Sequence, residues 1–155
     1  MKEENNDLAS RGSRLVAVII DGIIAVPILI VIAKLTGFWD RIIPRLVSGT
    51  PLNFEEIIII FCVGQCLFLI LNGYFLSKDG QTIGKRIIGI KIVGIQRENV
   101  GLMKIYFLRY LITSIISQIP VIRSFFNLIN ILFIFGKERR CLHDRIAGTV
   151  VVKNK

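Results

Sequence analysis

Three polar side chains set inside apolar stretches are the residues of this chain that could do chemistry: Asp21, Asn72 and Arg109. Asp21 interrupts an apolar run at 15–35. A carboxylate there costs roughly 2.5–3.5 kcal/mol on insertion scales, so it must face protein or water. Its oxygens can hold a proton or a small cation and exchange one for the other. Arg109 stands near the start of a later apolar run and is the expected partner of Asp21, tuning its proton affinity. At about 1.5 Å per residue, Asp21 lies roughly 9 Å inside its helix, and Asn72 and Arg109 fall at a similar depth. Arg14 shares a helix face with Asp21, but side chains tilt toward the N-terminus. It is expected to snorkel to lipid phosphates and act as an orientation anchor. The same residues equally suit a lock, in which an Asp–Arg pair joins two helices and Asn72 is hydrogen-bonding glue. Gln65, Gln118, Asn127 and Asn130 add a polar stripe that could line a path, although glue is the preferred reading.

The elements that must position these groups follow from where the apolar blocks fall. The chain has 155 residues, 53% of them hydrophobic, with a mean hydropathy of +0.65. That is the composition of a small membrane protein with a single domain. A helix crossing needs about 20 apolar residues, and the runs at 15–35 and 57–76 supply them. The first run is too long for the core of a secretory signal and contains an acid and a proline, so it is expected to be retained. Residues 104–135 are too long for one crossing, and Pro120 divides them. They are expected to make two short spans, 105–119 and 121–135, joined by a tight turn; a re-entrant hairpin would preserve the same sidedness. The loop between the first two spans is expected to hold a short interfacial helix at 38–46, with Trp39 as a headgroup-level anchor.

The net charge of +9 is unevenly distributed. Fifteen basic residues lie in the N-terminal segment, the loop 77–104 and the tail 136–155, against Arg41 and Arg45 in the loop 36–56. The positive-inside rule then puts both termini and the loop 77–104 in the cytoplasm. Anionic headgroups are the expected counter-charge; no groove-reading motif supports nucleic-acid binding. Within the loop, the β-branched run at 90–95 and the tail Thr149–Lys153 are expected to pair as short strands. An amphipathic interfacial helix over 83–92 is the competing reading. The fold class is thus an all-α integral membrane protein of four transmembrane helices, the last two short and hairpin-like, with a small cytoplasmic β or amphipathic element.

Catalytic constellations do not assemble. Gly80-Gln-Thr-Ile-Gly-Lys-Arg has three residues between its glycines and Arg86 after the lysine, so it is not a nucleotide-binding P-loop. His143 is the only histidine, and Cys62, Cys66 and Cys141 form neither a disulfide framework nor a metal-ligand set. No enzyme, cofactor or metal is expected.

Three segments together resemble the RDD family of bacterial membrane proteins: Arg-Leu-Val-Ala-Val-Ile-Ile-Asp (14–21), Gly-Gln-Thr-Ile-Gly-Lys-Arg-Ile-Ile-Gly-Ile-Lys-Ile-Val (80–93, counted from Gly80) and Leu-His-Asp-Arg-Ile-Ala-Gly-Thr-Val-Val-Val (142–152). Leu-Arg-Tyr at 108–110 is similar to the usual start of that family's later hydrophobic region. The family is named for one arginine and two aspartates, which would here be Arg14, Asp21 and Asp144. The resemblance implies transport, with cation/proton exchange its most concrete form. It brings in Asp144, either as a relay partner of Asp21 or, the preferred reading, as a fixing point for the tail that pairs with Lys85 or Arg86. The expected activity is movement of a small solute, a monovalent cation against protons, by a homodimer in the bacterial plasma membrane. The rival is a non-transporting regulatory or assembly subunit of another membrane protein.

Overall fold

The computed structural model describes residues 7–118 and 141–154, and most of them are helical. Helix α1 runs Arg11–Leu35. Ser10 starts it, its hydroxyl accepting the Ser13 N–H at 3.0 Å, which satisfies one of the orphan donors of the first turn. Pro27 lies within α1, a position tolerated in apolar helices where neighbouring groups take up the freed carbonyl. Helix α2, Phe38–Ser48, stands between left-handed glycines, Gly37 and Gly49. Helix α3, Phe54–Asp79, opens with the Glu56 carboxylate accepting the Asn53 N–H at 2.9 Å. The same carboxylate pairs with Arg45 of α2 at 2.9 Å. A helix is present where one is expected at 38–46, two residues longer.

Among the described residues, α1 and α3 are the helices long and apolar enough to cross a membrane. Their apolar side chains turn outward: Ile23 is 67% and Ile70 78% exposed. That is the arrangement of helices solvated by lipid rather than packed in a soluble core. The third apolar run is helical from α5, Leu102–Lys104, through a π-helical stretch, Ile105–Leu111, to α6, Ile112–Ile116. It begins earlier and ends sooner than the expected 105–119. The expected fourth span, 121–135, lies outside the described residues, as do Pro120, Asn127 and Asn130.

The loop after α3 contains both a helix and a strand: the expected strand pair is present, and the competing helix over 83–92 stops at Ile88, before the strand. Helix α4, Ile83–Ile88, ends at left-handed Gly89, and strand β1, Ile90–Gly94, follows. After the short helix α7, Leu142–Ile146, strand β2, Thr149–Lys153, pairs antiparallel with β1, Ile90 opposite Lys153 and Gly94 opposite Thr149. The chain before α1 adds to the far edge of β2. Ala9 N–H donates to Val151 O at 3.0 Å, and Lys153 N–H to Asp7 O at 2.9 Å. One apolar core, including Ala17, Leu76, Ile92, Ile105 and Val151, joins this β element to one end of α1, α3 and the third helix.

Candidate functional site

Two polar clusters lie side by side at the β-element end of the helices. The first is centred on Asp144, whose side chain is 0% exposed. Helix α7 carries it between α1 and the π-helical stretch. Arg14 Nη1 donates to Asp144 Oδ2 at 3.2 Å, and Nη2 to Val151 O at 3.3 Å. Arg109 Nη1 lies 2.5 Å from Asp144 Oδ1 and donates to Thr149 Oγ1 at 3.2 Å. The carboxylate also accepts the Cys141 N–H at 3.3 Å, anchoring the start of its own helix. Both arginines are nearly as buried as the acid, at 8% and 6% exposure. One carboxylate thus ties together α1, the third helix and the tail. Replacing either guanidinium by a mobile ion would leave a desolvated charge behind, an arrangement that fits the expected Asp–Arg lock between helices. Cys141 borders it: burial pushes its thiol pKa up and the Asp144 charge adds to this, while Arg14 and Arg109 pull the other way.

The second cluster is centred on Asp21. The Thr82 hydroxyl donates to Asp21 Oδ2 at 2.6 Å and the Gly84 N–H donates to Oδ1 at 2.7 Å. Asn72 Oδ1 accepts the Ile83 N–H at 2.9 Å. Side chains from α1 and α3 therefore satisfy the orphan donors of α4 from outside, while Thr82 caps it from within through the Lys85 N–H at 3.3 Å. Buried Lys85, 5% exposed, extends the network. Its Nζ reaches Thr82 Oγ1 at 3.5 Å and the Tyr110 hydroxyl at 3.0 Å. Asp21 itself is only half-buried, and among the described residues it makes no ion pair.

The segment Gly80–Arg86 builds this junction residue by residue. Gly80 has φ +64°, and a Cβ there would lie 2.4 Å from Ile92 O; its own carbonyl accepts the Ile92 N–H at 2.8 Å. Gln81 Nε2 donates to Ile90 O at 2.9 Å, holding β1 to the end of α3. At Gly84 a Cβ would lie 2.1 Å from Ala17 O, so only glycine lets α4 lie against α1. The motif that failed as a phosphate loop is a backbone junction.

Several expected contacts are corrected. Arg109 does not pair with Asp21: the tail folds back and offers it Asp144, which span-by-span depth counting cannot foresee. Arg14 does not snorkel outward but turns into the same carboxylate. Asp144 pairs with neither Lys85 nor Arg86; Arg86 instead meets Asp79 at 3.1 Å. Asn72 binds a helix end, and Gln65 accepts the Tyr106 hydroxyl at 3.0 Å, so both act as glue. Gln118 is exposed. The sequence assigns no role at Asp21 to Thr82, Gly84, Lys85 or Tyr110; Lys85 is expected at Asp144 instead. Thr82 was findable, as a capping residue ahead of a short apolar helix, and Tyr110 stood within the Leu-Arg-Tyr resemblance.

A family model described as the RDD family matches residues 8–148 of the chain. No curated protein and no solved structure matches it.

Proposed function

The chain belongs to the RDD family, and from that premise we propose that it is a multi-pass membrane protein that moves a small solute, exchanging a monovalent cation for a proton at Asp21. Four spans, the last at 121–135, place both termini and the β element in the cytoplasm of a bacterial cell, by the distribution of Lys and Arg. The observation that carries the reading is the difference between the two aspartates. Asp144 is held by two arginines and sealed. Asp21 is half-buried and, among the described residues, is held by a hydroxyl and a backbone N–H. A proton or a cation approaching Asp21 displaces no fixed positive charge from its oxygens, and an intramembrane acid of this kind is the usual mark of an ion or proton pathway. Asn72 and Thr82 position the α4 end of the site, and Arg14, Arg109 and Asp144 hold the helices around it. A homodimer would complete the wall that so few short helices leave thin.

A second reading, a regulatory or assembly subunit that transports nothing, is favoured by the sealed Arg14–Asp144–Arg109 cluster, which needs no moving part. Proteoliposomes carrying a pH dye separate the two. Exchange predicts proton movement on addition of sodium, lithium or potassium, abolished in Asp21→Asn. Silent wild-type protein, shown to be folded and inserted, would support the subunit reading.

A further inference from the structure

At the other end of α1 and α3 lies a cavity of about 440 Å3, within the roughly 300–1,000 Å3 range of ligand pockets. Leu29 and Ala33 of α1, Ile43 of α2, and Ile60 and Val63 of α3 are among the side chains that wall it. From Asp21 to Ala33 is about 18 Å along α1 at about 1.5 Å per residue, so this is not the polar site. Its polar lining is confined to where the helices end. Arg41 and Trp39 contribute from α2, and Lys34 Nζ lies over the Trp39 ring, 5.7 Å from its centroid.

Lys34, Arg41 and Arg45 stand at this end against Asp40, Glu55 and Glu56, and Arg41 is the one of these six in the cavity wall. Arg45 has the Glu56 carboxylate. Arg41, exposed, makes no ion pair among the described residues. Asp40, its neighbour in sequence, is exposed too and does not line the cavity. An apolar chamber inside the level of the hydrocarbon, with an indole and a guanidinium that makes no ion pair among the described residues where the headgroups begin, matches an amphiphile with an apolar tail and an anionic head. A free phosphate has no use for the chamber, and a zwitterionic lipid offers Arg41 a phosphate already balanced by its own ammonium.

We infer that this cavity is a binding site for one acyl chain of an anionic phospholipid, whose phosphate Arg41 receives. The site holds a lipid between α1, α2 and α3 in the leaflet opposite the β element. It stands whether or not Asp21 exchanges ions. A guanidinium near the surface is worth about a fivefold preference for anionic over zwitterionic lipid.

The test is native mass spectrometry of the full chain, exchanged from detergent into mixed micelles of equal phosphatidylglycerol and phosphatidylcholine. Wild-type protein should retain one phosphatidylglycerol per chain, at about five times the phosphatidylcholine adduct. Arg41→Gln should bring the ratio to parity with helix content unchanged, and Ala33→Phe, which fills the chamber, should lose both adducts. Equal retention of the two lipids by the wild type, a preference that survives in Arg41→Gln, or no retained lipid would overturn the assignment. The last would mean that protein, from this chain or a second copy, covers the cavity.

Discussion

Asp144→Asn removes one charge, keeps the shape of the side chain, and leaves two guanidinium groups facing an amide. The side-chain exposures involved are 0% for Asp144, 9% for Arg14 and 6% for Arg109, so water cannot compensate. Breaking a buried pair by removing one partner costs about 3–5 kcal/mol, and here two cations lose the same partner. The comparison is Glu56→Gln: Glu56 is buried at 7% side-chain exposure, but its partner Arg45 is 37% exposed and remains partly solvated, so the loss should stay at about 1.5–3 kcal/mol, the scale of a hydrogen bond to a charged group. Unfolding free energies from SDS titration in mixed micelles, followed by circular dichroism, give both numbers under one condition. Because Arg14 and Arg109 share one carboxylate, Arg14→Gln and Arg109→Gln should also be non-additive, with a coupling of about 0.5–3 kcal/mol. An Asp144→Asn loss under about 1 kcal/mol, or one no larger than that of Glu56→Gln, would refute the lock.

Gly84→Ala should destabilise the protein by about 1–3 kcal/mol in the same titration, as expected for forcing a methyl into a packed contact. Gly22→Ala, where a Cβ meets nothing within 4 Å, should not. Thr82→Val removes the cap of α4 and one of the two hydrogen bonds to Asp21, and should cost about 0.5–2 kcal/mol, read as faster hydrogen exchange over 83–88. Cys141, whose thiol pKa is pushed up chiefly by burial, should carry less thiolate at neutral pH than an ordinary cysteine near 8.5. In a Cys62→Ser, Cys66→Ser background its maleimide labelling should be slow and should keep accelerating at alkaline pH, after a free thiol has levelled off.

The helices and strands were largely readable because their signals are local. The apolar runs gave α1 and α3, Trp39 and its surroundings gave α2, and the β-branched stretches at 90–95 and 149–153 gave the antiparallel pair. The contacts of the charged residues were less so. Depth along each helix put Asp21 and Arg109 at one level, but which carboxylate an arginine meets depends on where the tail returns, and no periodicity encodes that. The resemblance named Arg14, Asp21 and Asp144 without saying that the arginine belongs to the distant acid. Lys85 is expected at Asp144; the approach of α4 to α1, which Gly84 permits, instead buries it beside Thr82 and Tyr110.

In the proposed mechanism the two acids differ: Asp144 is fixed, and Asp21 is free to trade a proton for a cation. Infrared difference spectroscopy of the membrane-reconstituted protein tests it most directly, by following the protonated-carboxyl band as sodium, lithium or potassium is added at constant pH. One of these cations should diminish the band, and the change should be missing in Asp21→Asn, whose amide oxygen can still accept from the Gly84 N–H. A band unmoved by any of the three, or a change that persists in Asp21→Asn, would contradict it.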